Sequence, residues 1–196
     1  MNTASRAPDP AAADGLAPIE RIRLAALDLL RDGGASALTT RAVCDRAGVT
    51  APTLYHHYGD KDGLLRAIAA SEMQAFFARK QRMKPLDDPR QDVMRGWDDW
   101  IEFAIEHPDL VNAIRANGAS AVPLREAAES IVRSRLLRLS QSVQLTVDIP
   151  TGARVLVAAA NAIVQLLLDG TPPAETRRLS ALLRDGVLQS IAPAKA

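Results

Sequence analysis

The chain has 196 residues, of which 47% are hydrophobic and 24% charged, enough to bury the core of one compact unit or two closely packed ones. Its single cysteine, Cys44, excludes an internal disulfide framework and leaves no thiol cluster for zinc. A formal net charge of +1 excludes a uniformly basic protein of the histone kind. Aromatic residues are few, at 4%, and clear alternating strand patterns are absent, so the composition favours an all-α fold.

The polar N-terminal segment and the most apolar segment of the chain indicate where the protein resides in the cell. Residues 1–17 are rich in Ala, Pro and Asp and contain one cation, Arg6, which predicts a disordered tail and no signal peptide. The most apolar run, residues 155–168, is shorter than the roughly 20 residues of a membrane helix. We therefore expect no membrane association and a cytoplasmic protein.

Apolar residues recur at helical spacing along the chain and predict about nine helices. The first begins at Pro18 and stops at Gly33-Gly34, and two short helices over residues 39–47 and 50–58 follow. Asp60 caps a fourth, which runs toward a break at Lys84-Pro85 and Asp88-Pro89. Beyond it the pattern predicts helices over 93–107 and 110–116, one whose apolar face extends from Ala128 to Val143, and two more over 152–168 and 174–191. A loop is expected at 117–123 and a turn at 148–150.

The most informative segment is residues 38–65, LTTRAVCDRAGVTAPTLYHHYGDKDGLL. The tight turn Gly48-Val49 joins its two short helices, and a small core of Val43, Ala47, Val49 and Leu54 sets their crossing angle. That arrangement is a helix-turn-helix, whose second helix can lie in a DNA major groove. The alternative is an ordinary packed helix pair in which the polar residues have no ligand.

The second short helix carries small and polar residues that suit DNA. Hydroxyls and imidazoles can contact phosphate oxygens, and small apolar groups can pack on thymine methyls. The candidates facing the groove are Thr50, Ala51, Pro52, Thr53, Tyr55, His56 and His57. Thr40 and Arg41, opening the preceding helix, would meet the DNA backbone, and Lys61 would add a cation beside free helix N–H groups.

The same segment closely resembles the DNA-binding domain of TetR-family transcriptional regulators. The residues that carry the resemblance are Thr39-Thr40, Ala47-Gly48-Val49, Thr53-Leu54-Tyr55, His57-Tyr58, Lys61-Asp62 and Leu64-Leu65. The sequence departs from the family pattern at two positions: the family commonly has Phe where Tyr58 stands and Ser where Thr50 stands. Both changes are mild. The resemblance implies DNA contacts by Thr40, Thr50, Tyr55, His56 and Lys61. Charge balance within residues 18–66 is near neutral, which predicts modest, salt-sensitive affinity.

The resemblance further implies a three-helix DNA-binding domain at residues 18–66 and a helical ligand-binding and dimerisation domain at 67–196. The protein would then be a homodimeric repressor on a palindromic operator, released by a small, largely apolar effector. The sequence supports dimerisation independently. Residues 152–168 are apolar on nearly every side and residues 174–191 carry a matching stripe, so two such helices per subunit could form a four-helix interface. The alternative is that 152–168 is the central core helix of a monomer.

The effector pocket is expected around residues 93–107, where apolar and aromatic side chains could line it and a histidine could anchor a polar group. The candidates are Met94, Trp97, Trp100, Ile101, Phe103 and His107, to which Asn161 and Gln165 are added as polar groups in an apolar helix. Each could instead be a core or interface residue. Arg133, Arg135 and Arg138 are interpreted as a solvated helix side, with an anion site as the alternative.

No catalytic motif is present, so we expect no enzyme activity, no cofactor and no metal site. His56 and His57 are adjacent on a helix and point about 100° apart, which does not suit a metal. The expected partners are double-stranded DNA, a second copy of the chain and a small-molecule effector. A different class of function stays open, namely a helical protein–protein interaction module that has lost DNA binding. Replacing Tyr55 and Lys61 by Ala would discriminate between the two.

Overall fold

The computed structural model describes residues 16–116 and 118–193, with the backbone alone for residues 118–121. Most of the 1–17 tail therefore lies outside the described residues. Contacts divide the chain into two compact units, Met1–Ile68 and Ala69–Ala196. Nine helices and no strand are found within the described part, which confirms the all-α fold. The division falls two residues beyond the boundary expected at residue 66, and the roles assigned to the two units stay predictions.

The first unit contains α1 (Pro18–Ala37), α2 (Thr40–Ala47), α3 (Ala51–Tyr58) and the first turns of α4 (Lys61–Arg82). Its helices pack around fully buried side chains of every element: Ile22, Ala26, Leu38, Val43, Leu54, Leu64 and Ile68. The expected stop of the first helix at Gly33-Gly34 is a break in the helical backbone, after which one more turn completes α1. Val49, expected in the core, is only half-buried.

The second unit contains the rest of α4, α5 (Pro89–Glu106), α6 (Pro108–Ala116), α7 (Gly118–Leu139), α8 (Ile149–Leu168) and α9 (Pro173–Ile191). Helix α8 packs between α7 and α9, and α5 contacts all three. Helical spacing places five apolar residues on the inner face of α5. Of these, Val93, Trp97, Ile101 and Ala104 are buried, and Trp100 is half-buried. The core of this unit is therefore a bundle built around α5 and α8.

The prediction of a loop at residues 117–123 is wrong from residue 118 onward, because α7 begins at Gly118 and contains Pro123. Asn117 lies outside the described residues. Pro123 follows little more than one turn of helix, so its missing N–H removes only one early intrahelical bond. The same helix ends at Leu139, so Val143, expected on its apolar face, lies beyond it. There the Ser140 and Ser142 hydroxyls donate to the carbonyls of Leu137 and Leu139, which satisfies the helix end.

The turn expected at residues 148–150 is instead the start of α8. Asp148 caps that helix by accepting from the Thr151 N–H at 2.7 Å. The first turn of the helix tolerates Pro150 because a backbone N–H at that position has no intrahelical partner. Helix α8 is therefore 20 residues long, six more than the apolar run over residues 155–168. By length and composition this one described helix could span a membrane, which is weak support because core helices pass the same test.

Candidate nucleic-acid interface and ligand cavity

Helices α2 and α3 are set by local signals at their ends. Thr39 caps α2 by accepting from the Ala42 N–H at 3.1 Å, and Gly48 ends it in the left-handed conformation at φ 62°. Thr50 precedes α3, where its hydroxyl lies 3.0 Å from that of Thr53. Leu54, fully buried, holds α3 against the rest of the first unit. The turn and its two helices form the helix-turn-helix expected from the sequence.

Helix α3 presents a polar surface to solvent. Tyr55 is 48% exposed, and Pro52, His56 and His57 are also exposed, whereas Ala51 and Thr53 are half-buried. No described side chain other than Thr53 bonds the Thr50 hydroxyl. The exposed polar groups of Tyr55, His56 and His57, which make no described hydrogen bond, are available to contact the floor and edges of a DNA groove.

The start of α2 lies beside this surface in sequence and offers a cation. Thr39 is exposed, Thr40 is half-buried, and the Arg41 side chain is 93% exposed. Arg41 contacts only Asp45, at 3.7 Å, which is too long for a hydrogen bond. Its guanidinium is therefore the most accessible charge on this part of the described surface.

Most other cations of the first unit are already engaged. Arg23 pairs with Glu20 at 2.6 Å and Arg46 with Asp32 at 2.9 Å. The Lys61 ammonium donates to the Ala35 carbonyl at 3.1 Å, which leaves further N–H donors on the same group. Positive potential at this surface thus depends on a few side chains, in keeping with a near-neutral domain.

Tyr58 is a structural residue of α3. Its hydroxyl donates to the Ile19 carbonyl of α1 at 3.2 Å, and burial raises the pKa of the phenol. The Phe that the family commonly carries could not make this bond. The departure at Tyr58 therefore adds a link between α1 and α3 and leaves the exposed side of α3 unchanged.

The second unit contains a cavity of about 380 Å³, within the size range of small-molecule sites. Its walls come from α4, α5, α6, α7 and α8. Of the residues expected to bind a ligand, Trp97, Trp100 and Asn161 line it. Trp97 is fixed in place by its indole N–H, which donates to the buried Ser180 hydroxyl at 2.7 Å.

The other expected ligand residues do not line this cavity. Ile101 and Phe103 are buried in the core, and the Phe103 ring lies 4.9 Å from that of His107. Met94 is half-buried. Gln165 is exposed, accepts from Arg115 and donates to Asp169. The structure thus brings together three of the eight candidates.

Several cavity residues were missed by reasoning from the sequence. Helical spacing places Phe76 and Phe77 on the apolar face of the fourth helix but does not mark them as ligand contacts, and nothing in the sequence singled out Lys80, Arg115 or Arg125. The interpretation of Arg135 as a solvated residue is wrong, since Arg135 is 8% exposed and lines the cavity. The signal that could have indicated it is Gly96, a glycine inside a helix, which marks a close approach.

Arg133 and Arg138 also depart from a simple solvated side. Arg133 donates to Glu129 at 2.7 Å, and Arg138 donates to Asp92 at 3.2 Å and to the Leu86 carbonyl at 2.8 Å. Asp92 is nearly fully buried and accepts from Arg95 as well. One side of α7 is therefore attached to α5 through charged groups.

The fold is that of a helix-turn-helix unit with an exposed polar second helix, followed by a second, helical unit. Residues 22–68 match the family model of bacterial regulatory proteins of the tetR family. The chain is 40% identical to the tetracycline repressor protein class A from transposon 1721 of Escherichia coli over 81 residues, which are 41% of its length. These matches show that residues 22–68 are similar to the DNA-binding region of tetR-family regulators.

Comparison with solved structures supports the fold over most of the chain. The regulator FadR from Bacillus subtilis, solved with stearoyl-CoA, has a TM-score of 0.61 at 13% identity and covers 88% of this chain and 98% of its own. The TetR-family regulator PfmR from Thermus thermophilus has a TM-score of 0.58 at 20% identity, covering 84% and 97%. The sequence match to the tetracycline repressor spans 32% of that protein's length.

Proposed function

We propose that the protein is a ligand-responsive transcriptional repressor that binds operator DNA through α3. The observation that carries the proposal is the exposed polar surface of α3, held by a buried Leu54. Among the described residues, no hydrogen bond engages the side chains of Tyr55, His56 or His57 on this surface. Such a helix is costly as a surface element, because Tyr, His and Thr are poor helix formers. A groove of DNA supplies the partners that this surface lacks.

The proposed contacts divide by chemistry. Tyr55, Arg41 and Lys61 meet phosphates, as does the backbone N–H end of α2. Thr39 and Thr40, at the start of α2, also meet the DNA backbone. The remaining proposed contacts, which precede or lie on α3, reach base edges or sugars: Thr50, Ala51, Pro52, Thr53 and His56. Because few cations are unpaired, affinity rests on a small number of phosphate contacts and falls with salt accordingly.

The proposed repressor acts as a homodimer through residues 152–168 and 174–191. Support comes from apolar side chains that one subunit leaves uncovered on α8 and α9: Val155 and Leu166 are each about two-fifths exposed, and Leu182 is 68% exposed. A second copy of the same surfaces would cover them in a twofold arrangement. Two recognition helices would then enter successive major grooves of a palindromic operator.

An effector bound in the cavity of the second unit would release the DNA. The tetracycline repressor is named for its ligand and FadR was solved with stearoyl-CoA, so this proposal extends what those names say to the present chain. The effector favours a dimer whose recognition helices are wrongly spaced. By linkage, operator DNA weakens effector binding by the same factor.

The test of DNA binding is fluorescence anisotropy with the DNA upstream of the protein's own gene, a scrambled duplex and a salt series. Arg41→Ala and Arg31→Ala form a matched pair, because each arginine is exposed and has one long contact to an acid on its own helix, at 3.7 and 3.6 Å. Arg41→Ala is expected to weaken operator binding and reduce the salt slope by about one. Arg31→Ala should change neither.

The test of dimerisation is sedimentation velocity on Leu182→Glu, with Leu137→Glu as the control. Both leucines are more than half exposed in one subunit, but Leu137 lies on α7. A charge at Leu182 is expected to shift the protein toward monomer, since a carboxylate buried in the interface has no partner. Equal effects of the two variants, or none, would contradict the proposed interface.

A further inference from the structure

The cavity of the second unit has an unusual charge composition. Its walls are apolar and aromatic, with Phe76, Phe77, Trp97 and Trp100 on the α4 and α5 side. Four cations also line it, namely Lys80, Arg115, Arg125 and Arg135, whereas no described lining residue carries a carboxylate. An apolar cavity whose charged side chains are all basic suits a molecule that has an apolar body and a negatively charged group.

Arg135 is the cation best placed to bind that charge. Its side chain is 10% exposed, and its nearest carboxylate is Asp92, at 3.7 Å from Nε, beyond hydrogen-bond distance. Asp92 itself is satisfied by Arg95 at 2.5 Å and Arg138 at 3.2 Å. Among the described residues the Arg135 guanidinium therefore has no hydrogen-bond partner, although it is buried.

The remaining charges around Arg135 leave a positive excess. The carboxylates of Asp92 and Asp99 face it from α5, but Arg95 and Arg138 bind the first and Lys80 binds the second. Burial lowers the pKa of Arg135, the direction expected for a cation with insufficient compensation. A buried cation of this kind is costly unless an anion pairs with it.

The backbone of α5 is shaped to admit this guanidinium. A Cβ at Gly96 would lie 1.3 Å from Arg135 Nη1 and 2.6 Å from Cζ, so the guanidinium rests where a side chain would otherwise be. The glycine costs helix stability, and the position lines the cavity. The planar group is thus held at the cavity wall with its donors available for a planar, two-oxygen acceptor.

We propose that the cavity binds an amphipathic carboxylic acid, with its carboxylate on Arg135 and its apolar body against Phe76, Trp97 and Trp100. The inference rests on the proposed function, in which this cavity holds the effector, and names the effector's chemical class. It is tested without DNA, so its failure is distinguishable from failure of operator binding.

The test uses the chain's own fluorescence. Trp97 and Trp100 are its two tryptophans and both line the cavity, so their emission reports occupancy. Octanoate, decanoate and dodecanoate are titrated below their micelle concentrations, each beside its primary amide. The acid of at least one pair is expected to bind about ten to a hundred times more tightly, as a charge-assisted bond implies.

Arg135→Met removes the cation and keeps the side-chain volume, and it should reduce acid affinity at least tenfold while changing amide affinity little. Arg133→Met is the control, because Arg133 lies on the same helix, bonds Glu129 and does not line the cavity. Arg135→Lys keeps the charge and should retain most of the preference for the acid. It also decides the matter if circular dichroism shows that Arg135→Met does not fold.

Four results would overturn the proposal. Acid and amide could bind equally in every pair, which would make the cavity indifferent to the carboxylate. Neither could bind, which would exclude amphipathic acids of this length. Arg135→Met could weaken both ligands by the same factor, or Arg133→Met could match its effect, which would assign Arg135 a structural role.

Discussion

The substitution Gly96→Ala should separate the stability of the second unit from its ligand binding. The new methyl group would lie 1.3 Å from Arg135 Nη1, so one of the two groups has to move. The obstacle is the far end of a long, flexible side chain and not a backbone atom. We expect the guanidinium to rotate away from α5 while the helix keeps its position.

The expected change in unfolding free energy is small because its two terms oppose each other. Replacing a glycine inside a helix by alanine stabilises it by about 1 kcal/mol. Moving the guanidinium costs its 3.7 Å contact to Asp92 and some rotamer strain, together about 1 kcal/mol. Asp92 keeps its two closer partners, Arg95 and Arg138. The net change should lie within about 1 kcal/mol of zero.

The assay is urea denaturation followed by circular dichroism, combined with decanoate titration by tryptophan fluorescence. Gly96→Ala should unfold close to the wild-type midpoint and bind decanoate at least tenfold more weakly, with little change for decanamide. Destabilisation beyond about 2 kcal/mol would show that the fold itself needs Arg135 in place. Unchanged decanoate affinity at wild-type stability would refute the role given to the guanidinium's position.

Further predictions concern both units. Thr39→Ala removes the α2 cap and should lower stability by about 1 kcal/mol in urea denaturation, and Thr39→Ser should restore most of it. Gly63→Ala places a methyl 2.0 Å from the Tyr58 carbonyl oxygen, a backbone atom, and should destabilise the first unit by about 1–2 kcal/mol, measured as a lower thermal midpoint. The Arg177 hydrogen bond holds the pKa of Glu102 below its usual 4.5, so the pair's contribution is present above that pH and lost as the pH falls through the lowered value. Stability curves of wild type and Glu102→Gln should therefore converge below pH 4.5, over a small difference because solvent screens half-exposed groups.

Each of these has an outcome that would count against its reasoning. A Thr39→Ser variant as unstable as Thr39→Ala would mean that the hydroxyl does not act as the cap. Gly63→Ala at wild-type stability would mean that the α3–α4 turn relaxes around the methyl group. A constant difference between the two Glu102 curves from pH 7 to pH 3 would exclude an ionised Glu102 as its source.

The sequence alone determined those features that depend on neighbours in the chain. Caps such as Thr39 and Asp60, and the left-handed Gly48, fix helix ends through bonds that span a few residues, so the helix-turn-helix was predictable. Where a local signal was misinterpreted, as with Asp148 before α8, the cap was present but was assigned to a turn. Only three of the eight expected ligand residues line the cavity. The other five were misassigned because helical spacing shows which side of a helix is apolar but not what that side contacts.

Only the tertiary structure decided which charges are buried. Arg133, Arg135 and Arg138 are equivalent in sequence, as cations spaced along one amphipathic helix, yet they differ in surroundings. Arg135 is buried because α5 approaches α7 at Gly96, some forty residues away in the chain. Burial of an ion depends on the distance between helices and on the partners they bring, and no periodicity within one helix contains that distance.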